Sequence, residues 1–458
     1  MFSSVKRVHF VGIGGIGMSG IAEILINQGF QISGSDLSQS ENTEYLASLG
    51  AKIFLGHELA NISGAEVVVY SSAVKPDENP ETLEAIKCNI PLLRRAEMLA
   101  EVSRLNYCLA ISGTHGKTTT TSMCGLILIK SELDPTVIVG GRLRSLGGTN
   151  ARLGLGEWTV VEADEYDRSF LQLSPTVAII TNIDAEHLDI YKDIADIKQT
   201  FVEFANKVPF YGFVAVCLDD TGVKDILSSI KKKTVTFGLS RHCDIRAEEI
   251  TYSQRTSFCN VIERGILLGR LEINIPGVHN VRNALGAVAV CRELGISFEN
   301  IKDAIKEFTG VYRRFEIKGE KDGVLVVDDY AHHPTEIQAT ILAARNGWNK
   351  KIVCVFQPHT YSRTKEFFKE FGRSFDDADM LIVTDVYPAR EQPIEGVTGK
   401  IIADAAIQYG HKNVVYIPDK SNICNELHNL LQDGDMLITL GAGDVWKISQ
   451  QFLENKIA

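Results

Sequence analysis

The run Ile111-Ser112-Gly113-Thr114-His115-Gly116-Lys117-Thr118-Thr119 sets two glycines, a lysine and hydroxyls in an order suited to gripping a phosphate chain. Glycines at 113 and 116 let the backbone curl so that successive N–H groups point at one anion. Lys117 adds a mobile point charge, and Thr118 offers a hydroxyl to a magnesium ion. The spacing predicts a nucleoside triphosphate site over Gly113, Thr114, His115, Gly116, Lys117, Thr118 and Thr119, with Lys117 exposed and without a packing role. The general phosphate-loop pattern wants glycine at position 111, where this chain has Ile111. A second cluster, Gly12-Ile13-Gly14-Gly15-Ile16-Gly17, precedes Asp36 by about 20 residues, the spacing of a dinucleotide-type turn. Such a turn brings backbone close to a diphosphate at a helix N-terminus, where the dipole favours negative charge. NAD and a nucleotide-sugar diphosphate satisfy it equally, and glycines kept for tight strand–helix packing are the plain alternative.

Further reactive side chains gather at predicted strand ends. Glu162-Ala163-Asp164-Glu165 is followed, 25 residues after Glu162, by His187 in Thr181-Asn182-Ile183-Asp184-Ala185-Glu186-His187. A carboxylate and an imidazole there can hold Mg²⁺ bridging phosphates. Asn280 and Asn283 lie three apart on one helix face, suited to a purine edge or a phosphate, while Asn280 also fits a helix N-cap. Tyr312-Arg313-Arg314-Phe315 offers a guanidinium to a triphosphate. Asp328-Asp329-Tyr330-Ala331-His332-His333 and Gln357-Pro358-His359-Thr360-Tyr361-Ser362-Arg363 follow two further strands, and Arg363 is placed to clamp a small carboxylate.

The elements that carry these groups read as strand–helix alternation throughout. Strands are predicted at 8–11, 30–34, 52–54, 67–70, 107–111, 159–162, 177–181, 324–327, 351–356, 380–384, 414–417 and 436–440. Short alternating segments between about Thr234 and Ile275 predict an antiparallel appendage. The chain is therefore read as α/β with three domains: a Rossmann-like residues 1–106, a central P-loop ATPase-like 107–310 carrying the appendage, and a Rossmann-like 311–458. A length of 458 residues suits several cores. Net charge of −11 argues against a nonspecific nucleic-acid surface. Nine scattered cysteines without metal-binding spacing read as reduced thiols of a cytoplasmic protein. No window is long and apolar enough to span a bilayer, and the glycine-rich start interrupted by Glu23 does not read as a signal peptide.

With these motifs in place the sequence resembles the Mur ligases over essentially its whole length. The resemblance rests on His9 to Met18, Gly113 to Thr119, Glu162 to Glu165, His279 to Asn283, Arg313 to Phe315 and Asp328 to Pro334. The family's loop, Gly-Thr-x-Gly-Lys-Thr, accounts for Ile111. It implies ATP-dependent ligation of L-alanine to the lactyl carboxylate of UDP-N-acetylmuramate through an acyl phosphate, in peptidoglycan precursor synthesis, by a monomer or homodimer that binds neither nucleic acid nor membrane. Lys117 then grips phosphates, and Thr118, Glu162 and His187 serve magnesium. Asn280, Asn283 and Arg314 contact ATP, Asp329 positions the nucleotide, and Gly12, Gly14, Gly15, Ile16, Gly17 and Asp36 hold the UDP sugar. Arg363, Tyr330 and His359 face the amino acid, and His332 or His187 serves as base. Sister ligases carry a carbamylated lysine where this chain has Val202, and some alanine-adding relatives carry arginine where it has Thr360. Ligases of preformed peptides, folate ligases, a nicotinamide oxidoreductase and a nonenzymatic nucleotide switch are the competing readings.

Overall fold

A computed structural model describes residues 5–141, 149–187, 190–389 and 391–454. Its strands form three sheets. The first has five parallel strands in the order Lys52–Leu55, Gln31–Asp36, Arg7–Val11, Val67–Tyr70, Leu92–Arg94. Successive connections leave the central strand Arg7–Val11 in opposite directions. A crevice therefore opens at its carboxyl end, where Gly12 to Gly17 lie.

The second sheet runs Ile266–Ile273, Thr256–Glu263, Ile245–Ser253, Thr234–Gly238, Phe213–Cys217, Val177–Ile180, Tyr107–Ser112, Trp158–Glu162, Thr136–Ile138, Ala151–Arg152. Its first three strands fall in the segment expected to be an antiparallel appendage, but Thr234–Gly238, placed in that appendage from sequence, pairs in parallel with both Phe213–Cys217 and Ile245–Ser253 and so continues the main sheet. Arg264 and Gly265 connect the last pair, both at positive φ (47° and 89°), which suits the twist of a tight hairpin. Tyr107–Ser112 lies between Val177–Ile180 and Trp158–Glu162, so the polar ends of all three strands share one edge. The register pairs Ile111 with Glu162 and Ser112 with Ile180.

The third sheet runs Glu316–Lys321, Val324–Asp329, Met436–Leu440, Ile352–Phe356, Met380–Val383, Val414–Tyr416. Only its first pair is antiparallel. Five strands outside the appendage escape the sequence reading: Leu92–Arg94, Thr136–Ile138 and Ala151–Arg152 are only two or three residues long, Glu316–Lys321 is a polar edge strand with almost no buried face, and Phe213–Cys217 is a short apolar run that periodicity alone does not tell from a buried helix segment.

Parallel strands covered on both faces must be apolar throughout. Ile352–Phe356, Met436–Leu440 and Val177–Ile180 are buried at every position. Each large apolar side chain removed from water there contributes ~1.5–3 kcal/mol. The helix Lys117–Lys130 is buried from Thr118 to Leu128, which fixes the loop before it rigidly. The chain divides into two compact units. One comprises Met1–Glu248, Asn260–Leu271 and Arg282–Phe308; the other comprises Glu249–Cys259, Glu272–Val281 and Thr309–Ala458. No helix among the described residues is long and apolar enough to cross a membrane.

Candidate active site

The phosphate loop is built by conformations that only glycine adopts easily. Gly113 has φ +133°, and a Cβ there would lie 2.0 Å from Thr181 Oγ1. Gly116, at φ +82°, is the N-cap of the helix Lys117–Lys130 and gives it no side-chain cap. The first N–H groups of that helix have no acceptor within it and carry the positive end of its dipole. The loop is stitched to the segment after Val177–Ile180. Thr114 N donates to Asn182 O (3.1 Å), His115 N to Asn182 Oδ1 (2.7 Å), and Asn182 Nδ2 returns a bond to His115 O (2.9 Å). Thr181 Oγ1 also donates to His115 O, and Asp184 N to Thr114 Oγ1.

Lys117 is not the exposed charge expected from sequence. Its Nζ donates to Gly113 O (2.7 Å), Thr114 O (3.1 Å) and Glu165 Oε2 (2.7 Å), and its side chain is only 13% exposed. A strand-to-helix turn folds the lysine back beneath its own loop, where a carboxylate neutralises it. Burial works against its charge, but Glu165, Asp164 and Glu162 outweigh burial and hold the ammonium above its usual range. Burial likewise pushes the Glu165 carboxyl up to about 7, with Lys117 pulling against it.

Oxygen donors suited to Mg²⁺ lie beside this lysine. Thr118 Oγ1 donates to Glu162 Oε1 (3.2 Å), and Glu162 Oε2 accepts from Gly140 N (2.8 Å). A hydroxyl and a carboxylate are hard ligands of the kind magnesium takes alongside phosphate oxygens, so these residues fit the ion. His187 stands instead with Glu165 and Glu186, one ligand atom of each lying within 4.8 Å of the others. Its backbone is left-handed at φ +58°, and its ring meets the edge of Tyr166 at 5.0 Å. Val202, half-buried in the helix Ile194–Asn206, offers no ligand atom.

Asn283 packs on the loop directly, since a Cβ on Gly116 would come 2.4 Å from its Oδ1. Asn280 is not the N-cap: the helix Val278–Glu293 begins two residues earlier, and the Asn280 amide donates to Pro276 O (2.7 Å). We expect Gly116→Ala to raise the ATP KM by at least about tenfold while the fold survives. The left-handed backbone costs a side chain roughly 1–2 kcal/mol, and Asn283 must shift. Steady-state kinetics with a parallel thermal melt check this; an unchanged KM contradicts it.

In the first sheet, Gly12 and Ile13 donate to Ser35 O, and Gly14 N donates to Asp36 Oδ2 (2.9 Å). Asp36 thus ties the glycine turn together. Arg95 lies across the turn, its Nη1 where a Gly17 Cβ would come within 2.7 Å, and it also faces Asp164 at 4.0 Å. Beneath the turn, Glu81 is wholly buried and accepts from Ser35 Oγ (2.5 Å) and Asn61 Nδ2 (2.6 Å), with His57 Nδ1 at 3.4 Å and His9 Nε2 at 3.6 Å. Burial opposes its charge, yet His9, Ser35 and Asn61 hold the carboxyl below its usual range.

Within the second unit, the candidates at the ends of Val324–Asp329 and Ile352–Phe356 form one chain of contacts. The Tyr330 ring lies 5.0 Å from the guanidinium of Arg313 and 5.2 Å from that of Arg314. Arg314 faces Glu336 at 3.6 Å, and Glu336 also faces His332 Nδ1 at 3.2 Å. The His332 and His359 rings are 5.8 Å apart, and Arg363 Nη1 donates to His359 Nδ1 (3.2 Å). Asp329 is buried below them. Its carboxylate accepts from Phe315 N, Ala331 N and Thr340 Oγ1, which fixes the loop carrying Arg314 and the loop carrying His332. Burial pushes it up to about 6, with Arg314 pulling down.

Three family models match in sequence order. They are the Mur ligase family catalytic domain over residues 7–107, the Mur ligase middle domain over 111–291 and the Mur ligase glutamate ligase domain over 313–443. The chain belongs to the Mur ligase family. It is 53% identical over 454 residues to the UDP-N-acetylmuramate–L-alanine ligase of Geotalea uraniireducens, covering 99% of each chain. It is 54% identical to the enzyme of that name from Geobacter sp. strain M21, over 99% of this chain and 98% of that one. The crystal structure of UDP-N-acetylmuramate-alanine ligase from Thermotoga maritima superposes with a TM-score of 0.84 at 31% identity, covering 98% of both.

For a Mur ligase, the sequence motifs gave the loop and the strand ends but missed the residues that hold them. Asn182, Glu165 and Glu186 stood inside quoted motifs without a role. Tyr191, whose hydroxyl donates to Glu165 O (2.5 Å), and Glu81, in the helix Pro80–Lys87, carried no local signal at all. Their partners are distant in sequence, so spacing cannot reveal them.

Proposed function

We propose that this Mur ligase joins L-alanine to the lactyl carboxylate of UDP-N-acetylmuramate in the cytoplasm, converting ATP to ADP and phosphate, as a step of peptidoglycan precursor synthesis. The observation that carries the reading is identity above 50%, end to end, with proteins named for that reaction. The phosphate loop beside Lys117, Thr118 and Glu162 supports phosphoryl transfer rather than hydride transfer. The glycine turn, with Asp36 bonded to Gly14, takes the UDP diphosphate.

A carboxylate is a poor acyl donor because its oxygen leaves badly. Its attack on the γ-phosphate gives an acyl phosphate, and the alanine amine then displaces phosphate from the carbonyl. Lys117 and the helix N-terminus bind the phosphates, Asn283 and Asn280 hold the nucleotide side, and Arg314 stabilises charge on the transferred group. Thr118 and Glu162, with His187 set beside Glu165 and Glu186, would hold magnesium, which would supply Lewis-acid charge stabilisation at the phosphates. Arg363, Tyr330 and His359 face the amino acid. His332 presents Nδ1 to Tyr330 O (3.1 Å) and to Glu336, both acceptors, so the proton sits on Nδ1 and Nε2 is the basic nitrogen suited to take the amine proton.

ADP release that requires both UDP-N-acetylmuramate and L-alanine is the expected result. Release with a preformed tripeptide but not with alanine would reassign the chain to a sister ligase. With ¹⁸O in the muramyl carboxylate, one label is expected in inorganic phosphate and none in nucleotide. Label in AMP would overturn the acyl phosphate.

A further inference from the structure

The loops after Ile352–Phe356 and Met380–Val383 are joined in a way that the roles assigned above leave out. Tyr387, half-buried in the second loop, lies beside His359 in the first. Tyr387 N donates to Pro358 O (2.8 Å) and Thr360 N donates to Tyr387 O (3.1 Å), so His359 and Tyr387 pair as a parallel bridge beyond the strand ends. Their rings stack, 5.9 Å apart and inclined by only 13°. The bond to Tyr387 O also braces Thr360, a β-branched residue at φ +64°, in a left-handed conformation that its surroundings must maintain.

The Tyr387 ring is itself held in place. Gly443, just beyond Met436–Leu440, lies so near that a Cβ there would come 2.7 Å from Tyr387 Cγ and 2.9 Å from its Cβ. The φ of Gly443 is not left-handed, so the close approach, and not the backbone, demands glycine. Gln357 pins that turn: its Oε1 accepts from Val445 N (3.1 Å), and its Nε2 donates to Asp444 Oδ1 (3.2 Å). A fixed ring therefore lies along His359, whose Nδ1 accepts from Arg363 Nη1 (3.2 Å). A flat partner sets the tilt of an imidazole, and an imidazole so set holds one nitrogen of the guanidinium.

We propose that Tyr387 is a positioning residue for the amino-acid substrate: its ring sets the plane of His359 and, through it, the place of the Arg363 guanidinium that takes the carboxylate. This rests on the ligase reading above, in which His359 and Arg363 face the amino acid. Loss of the ring weakens the grip on that one substrate, because ATP and the UDP sugar are held by other groups.

The test is ADP release by the full chain, with each substrate varied in turn. Tyr387→Leu, which fills space without a flat face, should raise the alanine KM about tenfold or more, with kcat and the KM values for ATP and UDP-N-acetylmuramate within about twofold of wild type. Tyr387→Phe should behave as wild type, because the stacking face and not the hydroxyl sets the imidazole. Gly443→Ala, which displaces the Tyr387 ring while leaving Tyr387, His359 and Arg363 in the chain, should reproduce the alanine defect. Thermal melts identify a variant that fails to fold, and the other of the pair then carries the comparison. An unchanged alanine KM in a folded Tyr387→Leu or Gly443→Ala, a rise in all three KM values together, or a Tyr387→Phe as defective as Tyr387→Leu would overturn the proposal. Wild-type release with a preformed tripeptide but not with alanine overturns the ligase assignment alone, and the same KM split, read for the tripeptide, still decides the role of Tyr387. No amine-dependent release by wild type overturns both.

Discussion

Lys117→Ala should lower ligation on the order of 10³-fold and should also destabilise the protein, increasingly so as pH rises. The activity loss follows from removing a preorganised positive charge from the transferred phosphoryl group. The stability loss follows from burial, because Glu165 loses the ammonium 2.7 Å away and is left as an uncompensated charge. Breaking such a pair costs about 3 kcal/mol when the remaining group stays ionised. With Lys117 present the Glu165 carboxyl is already pushed up to about 7, against an ordinary 4.5. Without it the folded-state value rises further. Between the unfolded and folded values the native state keeps a proton that the unfolded chain has released, so stability falls as pH rises. The melting temperature of the variant should therefore approach wild type near about pH 5 and diverge by about pH 8. Adding Glu165→Gln should restore the melt without restoring turnover. A gap that does not change with pH would show that Glu165 is not the group left unpaired.

Neighbouring arginines should separate by readout. Arg313 bonds Asp328 at 3.1 Å and Gly441 O at 2.6 Å, and Asp328 is 1% exposed. Burial raises the Asp328 carboxyl, and Arg313 pulls it back down. Arg313→Ala should cost about 3 kcal/mol, read from denaturant unfolding, by leaving that carboxylate alone. Arg314 makes a looser contact, 3.6 Å to Glu336 with a third of its side chain exposed. Arg314→Ala should leave unfolding nearly unchanged and lower kcat about 10²-fold or more. The opposite pattern would exchange their roles.

How much of this was legible in the sequence depends on the distance over which each residue acts. Gly113 and Gly116 could be read because a turn imposes their backbone conformation locally. Parallel strands such as Met436–Leu440 could be read because burial on both faces demands an unbroken apolar run. Lys117 was read as exposed, whereas it is largely buried against Glu165, which lies 48 positions away and so leaves no local signal. Asp329 stood in a motif as a nucleotide-side residue, yet the bonds it makes go to Phe315, Ala331 and Thr340. Asn280 looked like a cap because Asn commonly is one, but the helix begins before it. Glu316–Lys321 was invisible because an edge strand with one partner needs little apolar side chain.

The reciprocal bonds between Asn182 and the phosphate loop bear on how this enzyme can be recombined with its relatives. Thr114 and His115 each give an N–H to Asn182, and His115 takes one back, so residues 113–117 and 181–184 behave as a single part made of two distant pieces of chain. A chimera whose crossover falls between them joins a loop from one parent to a brace from another, and it should misplace the loop even when every residue in that loop is native. Crossovers before Tyr107 or after Asp184 keep the part whole and are the natural joints for exchanging acceptor specificity.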